Sequence, residues 1–167
     1  TIIVRRTMLS PFLKKLLFVR QFAIDKGKIE ILGQTQIMLP SNLMAELQLI
    51  DHDKVYNIVK TNIHDTMKTY AKKMGSTSSG IVKSSQDIFE TFGLGQFQIL
   101  KLDNSKKIAI LNVSNSPMCN GCAKEKSNPC LLEAALDGMF TFLFKADVKV
   151  ETKPCRMGST QFIINKR

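Results

Sequence analysis

The 167-residue chain has no tryptophan, two tyrosines, two histidines and aromatic residues at only 7%. Proteins that bind single-stranded nucleic acid stack bases on aromatic side chains set among basic ones, and that interleaving is missing here. Net charge is nevertheless +10. Its lysines and arginines are spread from Arg5 to Arg167 in pairs such as Lys14-Lys15, Lys72-Lys73 and Lys106-Lys107, with no long basic run. Sequence-specific nucleic-acid binding is therefore not expected. The longest apolar stretches, Leu16 to Val19 and Met139 to Phe144, fall far short of the roughly 18 to 20 residues of a membrane-spanning helix. Residues 1–19 carry no export signal, because Pro11, Lys14 and Lys15 interrupt the apolar run after the first arginines. The expected compartment is the cytoplasm.

Catalytic signatures are equally scarce. No G-x-x-x-x-G-K phosphate loop occurs, and Gly93-Leu94-Gly95 lacks the third glycine and the preceding strand of a dinucleotide site, so it reads as a helix stop. Ser10, Ser41, Ser114 and Ser116 have no recognisable elbow or base nearby. His52, at a helix start, and His64, on a polar helix side, read as solvated rather than as ligands. No catalytic residue is assigned, and an enzyme is the less favoured reading.

Composition is that of a globular protein, 44% hydrophobic and 23% charged, and a chain of this length buries roughly 70% of its unfolded surface in one core. A single domain over residues 1–167 is expected. Pro11 after Ser10 opens a short amphipathic helix, PFLKKLLFV, with Phe12, Leu13, Leu16 and Leu17 on one face. Residues 21–39 read as antiparallel strands around two turn signals, Asp25-Lys26-Gly27 and Gly33. Pro40-Ser41-Asn42 offers a cap for a helix over LMAELQLI, and Asp51 or Asp53 caps a longer one. In that longer helix Val55, Val59, Ile63, Met67, Tyr70 and Met74 fall on one stripe. Gly75 to Gly80 reads as a loop, and Ser84-Ser85 as the cap of a short helix through Phe92. Residues 97–102 and 107–113 form the clearest hairpin, Pro129 opens a mostly buried helix to Phe144, and residues 147–153 and 160–166 are two closing strands. In that last helix Glu133, Asp137 and Thr141 are the only polar stripe. The fold class is α+β: an antiparallel sheet of hairpins with helices packed on it.

Chemistry concentrates in four cysteines, Cys119, Cys122, Cys130 and Cys155, spaced C-x2-C-x7-C-x24-C. Gly121 lets the Cys119 to Cys122 turn curl so that two thiolates converge on one metal. Cys130 follows Pro129 at the expected helix N-terminus, where the dipole favours a thiolate. Four sulfurs suit a tetrahedral zinc site or an iron–sulfur cluster, with zinc ahead. A Cys119–Cys122 or Cys130–Cys155 disulfide, and thiols buried as small hydrophobes, remain the alternatives.

The C-terminal half resembles the vinyl-4-reductase domain family of hydrocarbon-binding proteins. The matching pattern is a cysteine with a Gly-containing apolar helix, Cys130 to Phe140, then a strand and Cys-x-x-Gly, Val148 to Gly158. Strands over residues 29–39 and a helix around Leu43 to Leu47 extend the resemblance to residues 10–167. It implies helices on an antiparallel sheet around an apolar pocket, relatives among small-molecule sensors and Golgi-tethering subunits, and frequent dimers. It also implies zinc beside the pocket, held by Cys130 and Cys155. Glu151 lies one residue further from Cys155 than the family's ligand, and Gln161 stands where a later cysteine would be. Cys119 and Cys122 are placed to complete the set. The expected function is binding or sensing of a small hydrophobic molecule. Tyr70, Leu136, Met139, Phe140 and Phe144 are the candidate pocket residues, although an apolar helix face is usually packing. The rival readings are an iron–sulfur redox protein using the same cysteines and a ligand-free dimeric scaffold subunit.

Overall fold

A computed structural model describes residues 11–74, 78–117, 131–154 and 159–167. Twelve elements run α1 (Pro11–Phe18), β1 (Phe22–Asp25), β2 (Lys28–Ile31), β3 (Gln34–Gln36), α2 (Ser41–Ile50), α3 (His52–Met74), α4 (Ser78–Thr91), β4 (Gln96–Asp103), β5 (Ile108–Ser114), α5 (Leu131–Phe144), β6 (Val148–Pro154) and β7 (Ser159–Lys166) among the described residues. The class is α+β, as the hairpin and helix signals indicate. The chain divides into two compact units, Thr1–Met38 and Leu39–Arg167.

In the first unit, α1 stops where Arg20 turns left-handed at φ 55. Gln21 N–H then donates to the Leu16 carbonyl at 2.8 Å and Arg20 N–H to that of Leu17 at 3.1 Å, the paired bonds of a Schellman end. The three short strands form an antiparallel sheet β1-β2-β3. Asp25 pairs with Lys28 and Ile31 with Gln34, leaving two-residue turns, Lys26-Gly27 and Leu32-Gly33. All four turn residues have positive φ, the conformation that matches the twist of a tight hairpin. Leu16, Ile31 and Leu32 are buried in this unit, while Phe18 is 88%, Ile37 76% and Met38 77% exposed.

The second unit is built on a four-stranded antiparallel sheet ordered β4-β5-β7-β6. Ala109, Leu111 and Val113 of β5 alternate inward with Phe162 and Ile164 of β7, Phe97 of β4 and Val148 of β6. The period of two puts these residues on one face, and that face meets the helices. A register shift between Ile99 and Lys101 marks a bulge in edge strand β4. The other edge, β6, carries exposed Lys149, Glu151 and Lys153. A bulge and charges both discourage pairing with another chain's strand.

Helix α3 begins where Asp51 accepts a hydrogen bond from Lys54 N–H at 3.1 Å, the N-cap anticipated from the sequence. At α2 the cap differs: Pro40 holds the N-cap position and no side chain caps the helix by hydrogen bond. Helix α4 also differs, because it starts at Ser78 and takes in the end of the expected loop and both expected caps, Ser84 and Ser85. Ser85 is fully buried and its hydroxyl donates to the Ile81 carbonyl at 2.7 Å. Back-bonding to the preceding turn lets a serine serve inside a helix whose apolar side, Ile81, Ile88 and Phe89, faces the core. The helix ends in another Schellman pair at Gly93, φ 72, with Leu94 N–H donating to the Phe89 carbonyl at 3.0 Å.

Helix α5 is enclosed by the sheet and α3. Leu132, Leu136, Met139, Phe140 and Phe144 are fully buried or nearly so, and they form one cluster with Met67, Phe89, Phe97 and the inward strand residues. Each such side chain contributes about 1.5–3 kcal/mol by leaving water. Close approach of α3 and α5 depends on Gly138: a β-carbon there would fall on the Lys60 carbonyl oxygen and sit 3.2 Å from the His64 nitrogen. Both obstacles are backbone, so neither can swing aside. Gly138→Ala is expected to separate the helices and cost about 1–3 kcal/mol, read as a lower urea midpoint with an unchanged denaturant slope.

Candidate functional site

Along α5 the only polar residues come every fourth position, and the structure shows why an apolar helix keeps them. Asp137 is completely buried. Its Oδ2 accepts a hydrogen bond from the Tyr56 hydroxyl at 2.9 Å, and its Oδ1 accepts one from the Thr141 hydroxyl at 3.1 Å. Lys60 Nζ lies 3.0 Å from Oδ1, and Arg167 reaches within 3.8 Å of Oδ2. Tyr56 and Lys60 lie one turn apart on α3, Thr141 one turn along α5, and Arg167 follows β7. Two cations and two hydroxyls satisfy one enclosed carboxylate; removing such a partner from a buried charge typically costs about 3–5 kcal/mol. Burial, together with the Asp137 carboxylate, pushes the Tyr56 phenol well above its ordinary range, so the hydroxyl stays a donor. Sequence reading found the stripe but not its partners, because Tyr56 and Lys60 lie about 80 positions away on another helix.

One turn before Asp137, Glu133 accepts a hydrogen bond from the exposed Thr152 hydroxyl of β6. Burial raises its carboxyl from an ordinary 4.5 to about 7, partly offset by His52. Chemically, this half of α5 offers hydrogen bonds and one proton-accepting carboxylate.

The proposed pocket residues on α5, Leu136, Met139, Phe140 and Phe144, share the core cluster, with the Phe140 and Phe144 rings 5.3 Å apart. Tyr70 of α3 is fully enclosed too. Burial alone moves its phenol up to about 12, and its hydroxyl has no hydrogen-bond partner among the described residues. Cys119, Cys122, Cys130 and Cys155 lie outside the described residues. Among the described residues, no three histidine, cysteine or acidic side chains gather as a metal site. The histidines instead meet acidic neighbours, His52 Nδ1 at 3.4 Å from Asp53 and His64 Nδ1 at 3.2 Å from Asp65. No helix among the described residues is long and apolar enough to cross a membrane.

No family model matches the chain, and no curated protein matches it in sequence. Solved structures do. The phenol-responsive sensory domain of the transcription activator PoxR, determined with phenol, superposes with a TM-score of 0.69 at 14% identity, covering 95% of this chain and 92% of that domain. The two share a fold. A trafficking protein particle complex subunit 3 from Naegleria fowleri, covalently bound to palmitic acid, gives a TM-score of 0.50 at 9% identity over 75% of this chain and 89% of that one. A sensor-domain fold and a trafficking-subunit fold, the kinds of relative that the family resemblance implies, are thus both represented. At these identities the likeness is one of architecture.

Between pH 4.5 and about 7 the folded chain keeps a proton on Glu133 that the unfolded chain has released. Its contribution to stability is therefore complete below pH 4.5, declines as pH rises toward 7 and levels off above it. Melting temperatures of wild type and Glu133→Gln across pH 4–8 should differ by that declining component, the variant lacking it.

Proposed function

We propose that the chain is a binding or sensing module for a small hydrophobic molecule, related to the vinyl-4-reductase family, with a four-cysteine zinc site beside the pocket. The observation that carries the reading is the match, over nearly the whole of both chains, to a sensory domain solved with phenol. An enclosed apolar helix between α3 and the sheet supports it, since a ligand in this architecture would displace or join the side chains of Tyr70, Leu136, Met139, Phe140 and Phe144. The second neighbour, which carries palmitic acid, supports an apolar ligand class in the same terms.

For the metal, the donor set itself is the argument: four thiols have the number and softness that zinc takes in closed structural sites. Reduced thiols held for a metal fit a cytoplasmic setting. The described residues flanking the cysteines also share one end of the sheet. Ser114 pairs with Ser159 and Pro154 with Thr160, while Glu133 hydrogen-bonds Thr152. Bound zinc would tie that end together, and its binding free energy would count as folding free energy.

A second copy of the chain is the proposed partner. The first unit leaves Phe18, Ile24, Ile37 and Met38 exposed while burying few apolar residues among its described ones. These side chains are the proposed contact surface, since apolar area left to water favours association.

Zinc at one per chain without acid-labile sulfide supports the site, and iron with matching sulfide would replace it by an iron–sulfur protein. Cys130→Ser is expected to lose zinc and melt earlier. In a panel of phenols and fatty compounds, a ligand at 100 times its Kd adds about 2.7 kcal/mol, a rise of about 5–10 °C in melting temperature. If none raises it, the binding reading fails and a ligand-free scaffold stands. Light scattering should give twice the chain mass for wild type and one chain mass for Phe18→Asp combined with Ile37→Asp; a monomeric wild type would remove the dimer.

A further inference from the structure

Two hydroxyls among the described residues are buried without a hydrogen-bond partner, those of Tyr70 and Thr91. Thr91 belongs to a half-buried residue at the end of α4. Tyr70 belongs to a residue with no exposure at all. It lies one turn after Met67 on the inward side of α3. The polar neighbour of that turn, the Ser85 hydroxyl, is already committed, donating to the Ile81 carbonyl at 2.7 Å and lying 3.9 Å from the Met67 sulfur.

A phenylalanine at this position would bury the same ring without enclosing an unpaired hydroxyl. Keeping the hydroxyl there costs free energy unless something supplies its partner. Burial raises its phenol, and no charged side chain among the described residues contributes to that rise. A neutral partner suits a hydroxyl in such surroundings.

Resting on the binding reading above, we propose that the Tyr70 hydroxyl is the specificity-determining contact of the pocket. It hydrogen-bonds the hydroxyl or carbonyl oxygen of a neutral, otherwise apolar ligand. The site accordingly takes phenols, alcohols or ketones in preference to hydrocarbons of the same shape. A site built to hydrogen-bond a ligand oxygen rejects the analogue lacking it, because the protein's own polar group is then left unpaired.

The test uses the full chain and two matched pairs of probes, phenol with toluene and 1-hexanol with hexane, in calorimetric titrations of wild type and Tyr70→Phe. Wild type is expected to favour the oxygen-bearing member of a pair by about tenfold, one good hydrogen bond's worth. Tyr70→Phe should bring the pair within about twofold while keeping the hydrocarbon's affinity. Without ligand, the variant should melt at or above the wild-type temperature, since it sheds an unpaired hydroxyl. Three results overturn the proposal: a wild type without preference, a Tyr70→Phe protein that keeps it, or a ligand-free variant that melts several degrees lower, which would give the hydroxyl a partner within the protein. If wild type binds no member of either pair and nothing in the wider panel, the binding reading itself falls and the proposal with it. Failure with hydrocarbon binding intact removes only the role of Tyr70.

Discussion

A carboxylate shut away from water organises the larger unit. Asp137 sits in the middle of an otherwise apolar helix, and a charge in that position is tolerable only when its neighbours arrive together. Tyr56 and Lys60 set the register of α3 against α5, Thr141 closes the next turn, and Arg167 draws in the chain beyond β7. A sliding step of one turn along either helix would break the match of the carboxylate to the Tyr56 hydroxyl and the Lys60 ammonium. Gly138 complements this by letting the two backbones approach closely. Polar pairing thus specifies an alignment that the apolar contacts around it, being non-directional, leave open.

Much of the architecture was legible because its signals are local. The i, i+3, i+4 stripe from Val55 to Met74, the turn residues before Gly27 and at Gly33, and the alternation from Ile108 to Val113 each report their own periodicity. What was lost depends on distance or competition. Ser84 and Ser85 look like caps, yet the apolar face beginning at Ile81 carries α4 back to Ser78, and Ser85 finds its partner inside the helix. The sheet order, with β7 between β5 and β6, has no local signature. The same holds for the candidate site. Enclosure of Leu136, Met139, Phe140 and Phe144 followed from helix composition, whereas the partners of Asp137 and the unpaired state of Tyr70 are properties of packing. The cysteine spacing carries its chemistry in the sequence alone.

In the proposed binding module, core and binding surface would be drawn from the same residues. A helix whose buried face is rich in phenylalanine, with Met67 and Met139 beside it, can serve as packing and also adapt to a small apolar guest, since unbranched methionine changes rotamer at low cost. Polar groups would then divide the labour: the Asp137 network fixes how α3 meets α5, and the proposal gives selectivity to an isolated hydroxyl further along α3.

The order of the sheet has a consequence for how the chain comes into being. Strand β7, synthesised after the other three strands of its sheet, is an interior member flanked on both sides by earlier ones. Until it emerges, the inward residues of β5 and the apolar side of α5 have no completed sheet to cover them. Folding of this unit is therefore completed only once β7 has left the ribosome, and until then the nascent chain presents a sticky surface that chaperones at the ribosome exit are suited to shield.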